Sequence, residues 1–127
     1  MNKLTLLIAT LSIMGGLAAC AKKGMTPATR SEIEAKLAST QTPIQECYQR
    51  QLTTNRKLQG MVVAQAAIQP DGTFSEVTLR RDEPQDPVLK FCVVQEIAKL
   101  KLDKPTGERV VLESIPIKFE WANPDQK

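Results

Sequence analysis

The chain has 127 residues, with 17 Lys and Arg against 14 Asp and Glu, a formal charge of +3. The basic pairs Lys22-Lys23, Arg56-Lys57 and Arg80-Arg81 are scattered, so no strong field marks out nucleic acid or an acidic ligand as a partner. No histidine is present, which excludes a Ser-His-Asp or Cys-His pair and removes the commonest metal ligand; three Phe, one Tyr and one Trp leave little to stack on a base or a sugar.

The N-terminus reads as a secretory signal. Lys3 is a positive n-region, residues 4–14 form an uncharged apolar run, and residues 15–19 are small, as a processing site needs. The uncharged run, 4–19, is shorter than the roughly 20 residues of a spanning helix. It ends in Leu17-Ala18-Ala19-Cys20, which resembles the lipobox of bacterial lipoproteins. The resemblance implies cleavage before Cys20 and acylation of that cysteine, and two or more acyl chains give stable anchoring. Ala21, rather than an aspartate, follows the cysteine; by the same resemblance this points to the outer membrane, facing the periplasm. The expected division is a signal peptide 1–19, a lipidated N-terminus and tether 20–30, one domain 31–121 and a polar tail 122–127.

Two cysteines then remain, Cys47 and Cys92. Export places them in an oxidising compartment, and two cysteines have one intramolecular pairing. A redox pair would call for Cys-x-x-Cys or a thiolate-stabilising neighbourhood, and the spacing offers neither. A structural disulfide is the expectation.

Ser31-Glu32-Ile33-Glu34 has the form of a capping box, predicting a helix from there to about Ser39. Thr42-Pro43-Ile44-Gln45 repeats that logic, with proline at the first helical position. The second helical stretch carries Ile44, Cys47, Tyr48, Gln51 and Leu52 on one face. One kinked helix and two helices both fit. After the polar segment TTNRKLQ, residues 60–68 read as a strand that is apolar on both faces, hence central. Pro70, Asp71 and Gly72 make a hairpin turn: proline presets φ, aspartate bonds locally, and glycine takes a positive φ. A second strand, 74–80, sends Val77 and Leu79 inward. Asp86-Pro87 opens a third helix with a stripe of Leu89, Cys92, Val93, Ile97 and Leu100. The last strand, 109–121, turns Ile115, Ile117, Phe119 and Trp121 inward. Pro116 assigns it to an edge.

These elements predict an α+β fold in the order α-β-β-α-β. Its sheet is antiparallel, three-stranded and ordered 2-1-3, with two or three helices on one face. The stretches IQECYQRQL, LQGMVVAQAAIQPDGTFSEVTL, DPVLKFCVVQEIAKLKL and IPIKFE, taken in this order, resemble the TonB C-terminal-like domains of the AgmX/PglI C-terminal type. The chain departs from that family at Leu102-Asp103, where an aromatic-proline pair is common. The resemblance implies a small, non-catalytic periplasmic interaction domain of envelope or motility machinery, with no cofactor and no metal to carry over. It does not imply an energy transducer, which keeps a long Pro-rich spacer.

The leading expectation is therefore a lipid-anchored module that binds another envelope protein, with no nucleic acid and no small-molecule substrate. An exposed edge of the second or last strand could add a partner strand. Arg80, Arg81, Pro116 and Lys118 could equally be edge-blunting devices. Two alternatives belong to other classes: a peptidoglycan-associated structural lipoprotein, and a hydrolase using the loop carboxylates Asp82, Glu83 and Asp86.

Overall fold

The computed structural model of the protein describes residues 25–120. The expected signal peptide, Cys20, Trp121 and the tail lie outside them. The elements run α1 (Pro27–Ser39), α2 (Gln41–Thr54), β1 (Gly60–Ile68), β2 (Phe74–Asp82), α3 (Pro87–Ala98) and β3 (Val110–Phe119). The strands form one antiparallel sheet in the order β2-β1-β3. This is the predicted topology: a tight hairpin joins β1 to β2, and the α3 crossover returns the chain to the far side of β1. Val62, Ala64, Ala66 and Ile68 of β1 pack against Ile33, Ile44 and Tyr48 from the first two helices and Leu89, Val93 and Ile97 of α3. The helices thus share one face of the sheet. On the other face Met61 and Val63 are half-buried and Ala67 is buried, which is why the central strand is apolar on both sides.

Helix α1 starts a turn earlier than Ser31. Thr26 is its N-cap, accepting from the Thr29 N–H at 3.1 Å, and Pro27 takes the first helical position. Proline there has the right φ and lacks an N–H that would have no intrahelical partner, so Thr26-Pro27 sets the start and Ser31 falls inside the helix. Residues 27–30, assigned to the tether, belong to the domain. Glu32 accepts from the Asp103 N–H. Lys36 pairs with the Asp103 carboxylate at 3.1 Å, so α1 is tied to the loop after α3.

The first two helices are separate, with Thr40 between them. A continuous helix would need a Pro43 N–H for the Ser39 carbonyl, and the proline ring would crowd that carbonyl. Thr40 is buried, and its hydroxyl donates to the Leu37 carbonyl at 2.6 Å. Thr42 is not the cap; α2 begins at Gln41 with no side-chain cap. Its last turn takes Thr53 and Thr54 from the expected loop, and Leu58 of that loop is buried at 2 % exposure. Helix α3 is capped as predicted, Asp86 accepting from the Leu89 N–H at 2.8 Å. Leu100 lies just beyond its end, and Cys92 is half-buried rather than buried.

The register carries bulges that period-two reading cannot foresee. Strand β2 slips against β1 between Val63 and Ala64 and again between Gln65 and Ala67, beside Glu76 at φ +50°. It continues to Asp82, two residues past Arg80, pairing Asp82 with Val62. Strand β3 slips between the partners of Ala64 and Ala66. Val110 and Leu112 point to the core before that slip, and Ile115, Ile117 and Phe119 after it. The inward set predicted for 115–119 holds because the bulge absorbs the change of phase.

Candidate functional site

The two sheet edges differ. At the outer edge of β2 lie Arg80 and Arg81, both exposed, and the two bulges, a combination that discourages pairing with another strand. Strand β3 pairs with β1 on one side and, among the described residues, with no strand on the other. Backbone bonds at the sheet end show which groups that edge offers. The Met61 N–H donates to Glu83 Oε2 at 2.5 Å and the Met61 carbonyl accepts from the Glu83 N–H at 3.1 Å. Both Met61 groups therefore point toward β2. Its partner across the β1–β3 pair is Lys118, whose N–H and C=O consequently point away from β1, toward the free edge. Pro116, two residues earlier, has the same direction. Its missing N–H costs the sheet nothing, and the edge keeps the carbonyls of 116 and 118 and the N–H of 118.

A groove of about 990 Å³ runs along this edge. Residues 114–119 of β3 form one wall, and the other is α2 with Gln41, Gln45 and Gln49. Leu37, Ile44 and Ile115 make it apolar between the walls. Tyr48 and Phe119 hold helix to strand, their ring centroids 4.9 Å apart. Arg50 and Glu46 lie on the helix wall and Glu34 on α1. Lys118, also at the edge, pairs with Glu120. Sequence reading named Pro116 and Lys118 at this edge, took Gln45 only as part of a helix cap and did not single out Gln41 or Gln49. Their spacing of four was visible, yet nothing local distinguishes a groove wall from a solvated helix face.

The loop carboxylates have structural tasks. Asp82 accepts from the Gln85 N–H at 3.1 Å, and Asp86 is the α3 cap. Glu83 binds the Met61 N–H and the Arg81 guanidinium. The Met61 bond first, then the Arg81 bond, hold its carboxyl below the usual range, the opposite of what a general acid needs. Gly60 makes room for this clamp: at φ +133°, a Cβ there would stand 2.7 Å from Glu83 Cβ.

Cys47 and Cys92 are bonded to each other, Cα to Cα 6.5 Å, joining α2 to α3; this separation lies within the usual disulfide range. The hairpin turn is as expected. Gly72 has φ +91°, and its N–H donates to the Gln69 carbonyl at 2.8 Å. Asp71 Oδ1 accepts from the Thr73 hydroxyl at 2.6 Å and N–H at 3.0 Å, which lowers its carboxyl pKa. The turn has a second task, since the Gly72 carbonyl accepts from the Leu102 N–H at 2.9 Å. Leu102 is buried at 2 % exposure.

No protein-family model, curated protein or solved structure matches the chain.

Proposed function

We propose that this chain is a non-catalytic, TonB C-terminal-like module, lipid-anchored through Cys20 at the periplasmic side of the outer membrane. It binds another envelope protein by adding an extended segment of that protein to the free edge of β3. The observation that carries the reading is the groove beside that edge. Strand addition needs unpaired backbone groups and pockets for alternate side chains, and the Lys118 N–H and the 116 and 118 carbonyls border an apolar trough of about 990 Å³. The lipobox motivates the address, and the disulfide suits an oxidising compartment.

A photo-cross-linking residue at Gln45, in cells with intact envelopes, tests this. It is expected to capture a protein. Lys118→Pro should abolish the adduct, because it removes the one N–H shown to face the free edge without breaking a bond to β1. A capture that persists unchanged in Lys118→Pro, or no protein adduct at Gln45, overturns the reading.

A further inference from the structure

The two ends of the Cys47–Cys92 bond stand in different surroundings. Cys47 is buried on α2 at 8 % exposure, whereas Cys92 on α3 is half-buried, so a reagent from outside meets Cys92 first. Arg50, one turn beyond Cys47, turns its guanidinium back onto the Cys47 sulfur, Nη2 to Sγ 3.2 Å. Among the described residues Arg50 pairs with no carboxylate, so its charge stays available to that sulfur. The other charged residues of the two helices are Glu46, Lys90 and Glu96, and Glu96 is paired with Lys99 at 2.9 Å.

Thiol–disulfide exchange is governed by which sulfur is reached and by how readily the other leaves. A cation beside a sulfur lowers its thiol pKa, and the thiol of lower pKa leaves faster. Both effects direct attack to Cys92 and the departing charge to Cys47. The surface around Cys92 suits a protein reagent. Val88, one turn before Cys92, is 56 % exposed, and Phe91 beside it is 65 % exposed. Of the three large apolar side chains exposed among the described residues, these are two, so the accessible sulfur lies in an apolar patch that a partner's surface can cover.

We propose that the Cys47–Cys92 bond is a redox site, opened by a dithiol protein that attacks at Cys92 and leaves Cys47 as a thiolate held by Arg50. The partner's thiolate forms a bond to Cys92 Sγ as the Cys47–Cys92 bond breaks, and the electron pair departs on Cys47 Sγ. The partner's second thiol then gives up its proton and attacks its own sulfur in the mixed disulfide. Cys92 is released and takes up a proton. The chain gains two electrons, and the partner's dithiol becomes a disulfide. This goes beyond the strand-addition reading and does not rest on it.

The test uses the oxidised chain and two probes: dithiothreitol, and a thioredoxin whose second active-site cysteine is serine, which traps the mixed disulfide. Peptide mapping of the trapped adduct should find it at Cys92. Arg50→Met should slow reduction of the folded chain by dithiothreitol about threefold, and Arg50→Lys should restore most of the rate. In urea-unfolded protein the three chains should be reduced at one rate, because the Arg50–Cys47 contact is gone. These results together support the proposal. An adduct at Cys47, equal adducts at both cysteines, or none under conditions that trap the unfolded chain overturns it. An Arg50→Met rate equal to that of the unchanged chain, or a slowing that Arg50→Lys shares in full, overturns the role of Arg50 and with it the proposal.

Discussion

The Tyr48 hydroxyl donates to the Leu58 carbonyl at 2.6 Å, fastening α2 to the chain that enters β1. Tyr48 is fully buried, and burial raises its pKa above the ordinary 10.0. Tyr48→Phe should cost about 1 kcal/mol, the net worth of one hydrogen bond. The same shift predicts alkaline behaviour. The unfolded chain releases this proton near pH 10, the native state only at higher pH. Stability from this group is therefore full below pH 10 and is lost as pH rises toward the native pKa. Tyr48 is the only tyrosine, so absorbance of the tyrosinate reports it alone. Ionisation at the ordinary pKa in folded protein would contradict the buried bond.

The Cys47–Cys92 bond closes a sequence separation of 45 residues between α2 and α3. In the chain-entropy model such a ring contributes about 4 kcal/mol, so the Cys47→Ser/Cys92→Ser pair should lose roughly that in chemical denaturation. Non-reducing peptide mapping should find one linked pair. Free thiols at both positions in protein from an oxidising compartment would refute it.

Phe119 is 2 % exposed and contacts Tyr48, whereas Lys118 is exposed. Phe119→Ala should cost about 3–5 kcal/mol and Lys118→Ala no more than about 0.5 kcal/mol. Equal losses by urea titration would mean that β3 carries the opposite face to the core.

Cys20→Ala should abolish labelling by a fatty-acid analogue and release the chain from membranes. The lipobox motivates this, and Cys20 lies outside the described residues. A mutant that still labels and still sediments with membranes would remove the anchor from the proposed function.

Strand order and helix placement were legible in the sequence because their signals are local. Pro70-Asp71-Gly72 can form only a tight turn, Asp86-Pro87 opens a helix whichever neighbours surround it, and alternation at 115–119 names a buried face. The pairing of Cys47 with Cys92 was legible through counting and helix phase. Tertiary structure decided the rest. The bulges beside Glu76 and in β3 are properties of how each strand pairs with β1, and one strand's pattern does not contain its partner's register. Leu58 looked like part of a polar loop, yet Tyr48 above it makes that position core. The expected cap at Ser31-Glu34 lies inside α1, which starts at Thr26-Pro27, and Glu32 and Lys36 dock onto Asp103. The groove is the extreme case. It is the space between α2 and β3, segments far apart in the chain, and its glutamine wall became a wall only when Tyr48 and Phe119 brought the two together.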